Sequence, residues 1–286
     1  MRNIWIQGAR PRTLPAAIAP VVVATALSHR LYSINWINAL LSLLVGLAMQ
    51  IGVNYSNDYS DGIKGTDSNR VGPMRLVGSG AASAEQVKRA AILTYLAGAI
   101  FGLILALRTS LLLTIIGAIA ILAAWTYTGS SKPYGYRGFG EVSVFIFFGV
   151  VATNGTFFAV SGHNSGWAFL LSLTMGSLAC AILAVNNLRD LPKDLLAGKR
   201  TLAVLMGDIK ARFLLNGFLL LAHFTCIILT ALTPWALLTL LLVPQTRAIT
   251  KKINRGAHGV DLIPLLGATG KLQMLLSTTL ALALLI

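Results

Sequence analysis

Residues 36–61 read WINALLSLLVGLAMQIGVNYSNDYSD. The run begins as an apolar stretch of the roughly 20 residues that an α-helix needs to cross the hydrocarbon core of a bilayer. It then turns polar. From Asn54 to Asp67 the chain carries Asp58, Asp61 and Asp67, in a sequence with only nine Asp and Glu residues among 286. Asp190 and Asp194 fall in a second Asn/Asp stretch behind another apolar run. More than half of the acid therefore sits in two short places, each at the end of a membrane-length segment.

The composition agrees with membrane insertion: 56% hydrophobic, 11% charged and a mean hydropathy of +0.75. A soluble domain of this length has no use for so much apolar surface. The net charge of +14 raises nucleic acid as a partner, but such a domain gathers its basic residues on one solvated face. Here they lie in short loops between apolar runs, so no nucleic-acid partner is expected. The expected fold is an all-α membrane protein with about nine transmembrane helices, at 14–29, 36–57, 88–107, 109–127, 142–161, 165–187, 211–232, 233–250 and 262–286. The whole of 1–286 reads as a single transmembrane domain.

Basic residues set the orientation, because cytoplasmic loops carry excess Lys and Arg. With the N-terminus inside, all of the 23 Lys and Arg residues fall on inside segments except Arg30, Arg108 and Lys271. The N-terminal segment, with Arg2, Arg10, Pro11, Arg12 and Pro15, lacks a small-residue cleavage pattern and reads as a cytoplasmic lead-in. Both acidic stretches follow an even-numbered span, so they emerge on the same cytoplasmic face with four spans between them. That spacing suggests two four-helix halves plus one helix around a central cavity. Each stretch runs into a Gly-containing polar loop, giving lids over about 58–87 and 188–210.

On a helix, Gln50, Asn54, Asp58 and Asp61 share a face, and Asn186, Asp190 and Asp194 repeat the spacing of four, with Asn187 beside them. Carboxylates brought together at one mouth need positive charge, since like charges about 4 Å apart repel by about 4 kcal/mol even at an effective dielectric of about 20. Asp and Asn oxygens without His or Cys favour magnesium, which commonly shares its shell with substrate phosphates. The expected metal set is Asn54, Asp58, Asp61, Asn186, Asp190 and Asp194, with the four aspartates catalytic. Arg70, Arg75, Arg137, Lys199 and Arg200 are the candidate contacts to a diphosphate.

These residues resemble the UbiA superfamily of intramembrane aromatic prenyltransferases, whose first motif is NDxxD and second DxxxD. Here they are Asn57-Asp58-Tyr59-Ser60-Asp61 and Asp190-Leu191-Pro192-Lys193-Asp194. The stretches 9–16, 70–75, 133–141, 186–190 and 198–204 look like the branch that prenylates dihydroxynaphthoate in menaquinone synthesis, so the resemblance spans nearly the full length. One departure is Gly65, where many members have an acid; Asp67 follows two residues later and reads as a lid residue.

The resemblance implies that a polyprenyl diphosphate held by magnesium ionises at its allylic carbon. An electron-rich aromatic acid then attacks, losing carbon dioxide from the attacked ring carbon and giving demethylmenaquinol. It also implies an apolar cavity open to membrane lipid for the tail, which Tyr127, Phe145 and Phe148 could line. Lys271, inside the last span, is the candidate to meet the acceptor's carboxylate; its alternative is snorkelling to the interface. Rival readings are an enzyme of the same fold acting on hydroxybenzoate or homogentisate, and a cation-coupled transporter. The transporter is disfavoured because the acids cluster at a mouth and not midway along broken spans. The expected location is the cell membrane, with the N-terminus and mouth cytoplasmic.

Overall fold

The computed structural model describes residues 3–65 and 74–286. Its helices are α1 (Ile4–Gly8), α2 (Pro15–Leu31), α3 (Trp36–Ile63), α4 (Ala84–Arg108), α5 (Leu112–Gly129), α6 (Gly140–Val144), α7 (Ala152–Ser161), α8 (Gly166–Leu196), α9 (Leu202–Met206), α10 (Asp208–Ile228), α11 (Val243–Asn254) and α12 (Leu262–Leu285). A π-helical segment, Phe145–Val151, joins α6 to α7 in one rod. No strand occurs among the described residues. This is an all-α membrane protein.

The helix ends follow local chemistry. Asn35 caps α3 by accepting the Asn38 N–H at 3.1 Å. At the start of α4, Ser83 and Gln86 form a reciprocal capping box, which satisfies two otherwise orphaned donors. Gly162, at φ 76°, ends α7 in the left-handed conformation that favours glycine.

Seven helices among the described residues are long and apolar enough to cross a membrane, and the pair Ile4–Thr13 and Pro15–Leu31, bent by 52°, makes an eighth if taken as one span. The segment expected as a single helix over 233–250 is built otherwise. Pro234–Leu242 is a 3₁₀ helix, and α11 begins behind it with Pro244 in its first turn. Pro244 has no N–H for the carbonyl one turn earlier, so a helix continued from Pro234–Leu242 would lose a bond there, and the chain instead starts a new α-helix with this proline in its first turn.

Leu93, Leu96, Ile100, Leu103 and Leu107 of α4, with Leu112, Ile115, Ile119 and Leu122 of α5, are all exposed. In water so broad an apolar strip would drive association; against acyl chains it is matched. Burial between helices gains little from water exclusion in lipid, so close packing must hold them together. Small residues permit it. A Cβ on Gly149 would stand 2.6 Å from the Gly176 Cα, and one on Gly52 would stand 2.6 Å from the Tyr95 ring. Helix α8 is the hub, with Leu171, Met175, Leu178 and Val185 buried in one core with Leu27, Leu215, Leu219, Leu272 and Leu276.

Both acidic stretches remain helical. Helix α3 continues to Ile63 and α8 to Leu196, so residues 58–63 and 188–196, counted with the lids from sequence, are the last turns of two helices.

Candidate active site

The N-terminal segment makes one wall of the site. Arg10 sits at φ 52°, the one described non-glycine residue with positive φ, and turns the chain between α1 and α2. Side chains of α3 hold this elbow. Asn54 Nδ2 donates to the Ala9 carbonyl at 2.8 Å and to Thr13 Oγ1 at 3.1 Å, Gln50 Nε2 donates to Thr13 Oγ1 at 3.2 Å, and Arg10 Nη2 donates to the Asn54 carbonyl at 3.1 Å. Asn54, expected as a metal ligand, therefore spends its amide on the elbow.

Beside this wall lies a polar cavity of about 520 Å³. The last turns of α3 and α8 bring Asn57, Asp61, Asn186, Asn187, Asp190 and Asp194 to its surface, and Arg75, Arg189, Lys193 and Lys199 line it as well. Asp61 is buried and gathers cations: Lys199 Nζ is 2.9 Å from Oδ1, Arg75 Nη2 is 3.8 Å from Oδ2, and the Tyr136 hydroxyl donates to Oδ1. Lys199 Nζ also lies 4.7 Å from the Tyr136 ring centroid. Arg189 forks onto its neighbour, with both nitrogens 2.8 Å from the Asp190 oxygens. Asn187 Nδ2 donates to Glu141 Oε1 at 2.9 Å, which fixes the amide and leaves its carbonyl oxygen as the acceptor. Just past α3, burial holds the Lys64 ammonium below the usual lysine pKa, while Asp61 pulls the other way.

All six Asp and Asn side chains on this cavity offer oxygen, with neither His nor Cys, and that donor set suits a hard divalent cation. Among the described residues, no three acidic, His or Cys side chains stand close enough to hold an ion by themselves. Asparagine, ligand or water oxygen must therefore complete any shell, and magnesium bound with phosphates usually keeps several such ligands.

Asp58 faces elsewhere. It is fully buried, and its oxygens accept the backbone N–H groups of Leu76, at 2.8 Å, and Val77, at 3.1 Å. It does not line the polar cavity. Leu76, also fully buried, packs so tightly that a Cβ on Gly8 would meet its side chain at 2.6 Å. Asp58 thus pins the turn that follows Arg75.

A second, apolar cavity of about 440 Å³ continues from the first, bounded by α3, α4, α5 and the π-helical segment. Six residues line both: Arg10, Thr13, Asn57, Tyr127, Leu183 and Asn186. They form a collar where the polar and apolar spaces meet. Tyr127 is held there tightly, because a Cβ on Gly135 would come within 2.7 Å of its carbonyl oxygen and one on Gly140 within 2.9 Å of its hydroxyl.

Of the residues expected from sequence, Asp61, Asn186, Asp190, Asp194, Arg75 and Lys199 meet at the polar cavity. Tyr127 and Phe148 line the apolar one, whereas Phe145 packs 3.0 Å from the Cβ position of Gly176 and lines neither. Arg137 and Arg200 are exposed and line neither cavity. Their neighbours Tyr136 and Lys199 turn inward instead. Lys271 is exposed on α12, away from both cavities. Arg70 and Asp67 lie outside the described residues. Sequence reading passed over Asn57, Arg189 and Lys193 as site residues, although each lies within or beside a quoted motif.

A family model described as the UbiA prenyltransferase family matches residues 17–250. The chain is 47% identical over 266 residues to a Mycobacterium tuberculosis protein named 1,4-dihydroxy-2-naphthoate octaprenyltransferase, covering 93% of this chain and 91% of that one. It is 36% identical over 265 residues to the Escherichia coli protein of the same name, covering 87% and 86%. Among solved structures, the apo structure of a UbiA homolog from Aeropyrum pernix K1 superimposes with a TM-score of 0.74 at 14% identity, covering 93% of this chain and 96% of that one. A UbiA homolog from Archaeoglobus fulgidus bound to DMAPP and Mg2+ gives 0.68 at 15% identity, covering 99% of each. At such identities the structures speak to the fold. The match to the family model over most of the chain, with the two full-length relatives, settles that the chain belongs to the UbiA prenyltransferase family.

Proposed function

We propose that this protein transfers a polyprenyl chain from polyprenyl diphosphate to 1,4-dihydroxy-2-naphthoate, releasing diphosphate and carbon dioxide, in a magnesium-dependent reaction at the cytoplasmic face of the cell membrane. One observation carries the reading: a polar cavity lined by both acids and bases shares a collar of six residues with an apolar cavity. A diphosphate with a long hydrocarbon tail has that same division. The names of the relatives support the acceptor, and the lopsided placement of Lys and Arg supports the orientation.

Asn57, Asp61, Asn186, Asp190 and Asp194 would hold magnesium, with Asn187 beside them. The metal, when bound, supplies positive charge against the departing diphosphate. Arg75, Arg189, Lys193 and Lys199 contact the diphosphate oxygens and help hold the leaving group. The allylic C–O bond breaks with its electron pair on the diphosphate. The ring carbon bearing the carboxylate then bonds to the allylic carbon, and carbon dioxide leaves, its bonding pair returning to the ring. No oxidant or reductant is needed. In this reading both reacting carbons would meet at the collar, and the apolar walls would keep water from the cationic fragment, with Tyr127 and Phe148 offering ring faces. Asp58 contributes by holding the turn behind Arg75.

The test is direct. Purified protein is given a polyprenyl diphosphate, the naphthoate and magnesium, and prenylated product and free diphosphate are measured. Absence of magnesium-dependent product would refute the proposal, and faster turnover of hydroxybenzoate or homogentisate would move it to a sibling acceptor.

A further inference from the structure

The attacked ring carbon of a decarboxylating acceptor carries the carboxylate itself, so that carboxylate must lie within about one bond length of the reacting centre. On the proposed reading the reacting centre falls in the collar, where the diphosphate head would meet the tail. Of the six collar residues, Arg10 alone is charged, and among the described residues it is also the only charged one on the apolar cavity. We infer that Arg10 is the residue that recognises the acceptor's carboxylate and makes the enzyme select an aromatic acid over the corresponding phenol.

The geometry supports a fixed role. Arg10 stands in a left-handed backbone conformation that only surrounding structure can maintain. The elbow is tied on both sides, by Asn54 Nδ2 on the Ala9 carbonyl at 2.8 Å and by Thr13 Oγ1 on the Arg10 carbonyl at 2.9 Å. Its guanidinium is steered by the bond from Nη2 to the Asn54 carbonyl at 3.1 Å. A guanidinium fork matches a carboxylate in two parallel hydrogen bonds, which an ammonium cannot reproduce. Deeper in the polar cavity, Lys199 stands with Asp61 and Arg189 with Asp190. Lys271 lines neither cavity.

This inference rests on the prenyltransferase reading, and the experiment separates the two. Wild type, Arg10→Gln and Arg10→Lys are assayed with 1,4-dihydroxy-2-naphthoate and with 1,4-dihydroxynaphthalene, which lacks the carboxylate. Binding of 1-hydroxy-2-naphthoate and 1-naphthol to metal-free, donor-free protein is followed in parallel by tryptophan quenching. Arg10→Gln should raise KM for the acid at least about twentyfold and weaken binding of the hydroxynaphthoate similarly. KM for the diol and for the prenyl diphosphate should change less than about threefold, and Arg10→Lys should restore part of the acid preference. Equal loss on acid and diol in both variants, or a rise confined to the diphosphate KM, would overturn the inference while leaving the function standing. A wild-type protein that prenylates neither acceptor fails at the earlier step, and sinks both.

Discussion

The Asp58 carboxylate accepts the backbone N–H groups of Leu76 and Val77, at 2.8 and 3.1 Å, from the far side of the loop that joins α3 to α4. Each hydrogen bond to a charged group of this kind contributes about 1.5–3 kcal/mol, so the pair fixes the turn and, through it, Arg75. Asp58→Ala should loosen the turn. Tryptic cleavage after Arg75, now buried, should become fast, and KM for the prenyl diphosphate should rise. The magnesium concentration giving half-maximal activity should stay within about twofold of wild type. A large shift in that magnesium requirement, with the turn still protected, would return Asp58 to the metal.

Asp61 predicts the opposite pattern. It lies between Lys199, Arg75 and Tyr136 on the cavity surface, where the proposed magnesium and the buried basic neighbours would both call for charge on the carboxylate. Asp61→Asn should lower kcat by about a hundredfold or more and weaken metal binding measured calorimetrically on the purified protein. Restoring the charge balance in Asp61→Asn with Lys199→Met should recover stability without recovering turnover. Recovery of turnover in the double variant would mean that Asp61 serves only as the partner of Lys199.

The contrast between these two aspartates also marks how far the sequence can be read. Most of the membrane-length apolar runs, the two acid-bearing helix ends and their common cavity were legible, because span length and charge scarcity are properties of the chain alone; the run at 233–250, broken at Val243, was not. The choice between Asn57 and Asp58 was not. Positions 50, 54, 57 and 61 keep helical spacing as well as 50, 54, 58 and 61 do, and only the turn at Leu76 and Val77 decides which side chain faces the cavity. The same one-residue ambiguity explains Arg137 and Arg200: Tyr136 and Lys199 point inward, and their neighbours are left exposed. Nothing local predicts which member of such a pair turns in. Arg10 escaped notice for a related reason, since a left-handed elbow at a non-glycine residue has no sequence signature.

Lys271 provides a control within a span. It is exposed on α12 and lines neither cavity, which fits a flexible stem reaching toward the interface. Lys271→Gln should leave kcat and both KM values within about twofold, because an exposed charge away from a site shifts stability by no more than about 0.5 kcal/mol. A selective rise in the acceptor KM would place this lysine in acceptor binding and weaken the case for Arg10.

The approach of Gly149 to Gly176 makes a prediction about stability that is independent of the chemistry. A Cβ at Gly149 would stand 2.6 Å from the Gly176 Cα, 2.9 Å from the Ser172 carbonyl oxygen and 3.0 Å from the Gly176 nitrogen. All three are backbone atoms, so no side chain can swing aside, and the π-helical segment and α8 must separate. Overpacking of this kind destabilises by about 1–3 kcal/mol. At roughly 2–4 °C per kcal/mol for a chain near this size, Gly149→Ala should lower the melting temperature in detergent by several degrees. Gly217→Ala is the matched control: it lies within α10 with nothing within 4 Å of its Cβ position, and alanine is the better helix former by about 0.5–1 kcal/mol. Gly217→Ala should therefore melt at or above wild type. If the two variants melt alike, the contact between Gly149 and Gly176 is not what holds this segment against α8.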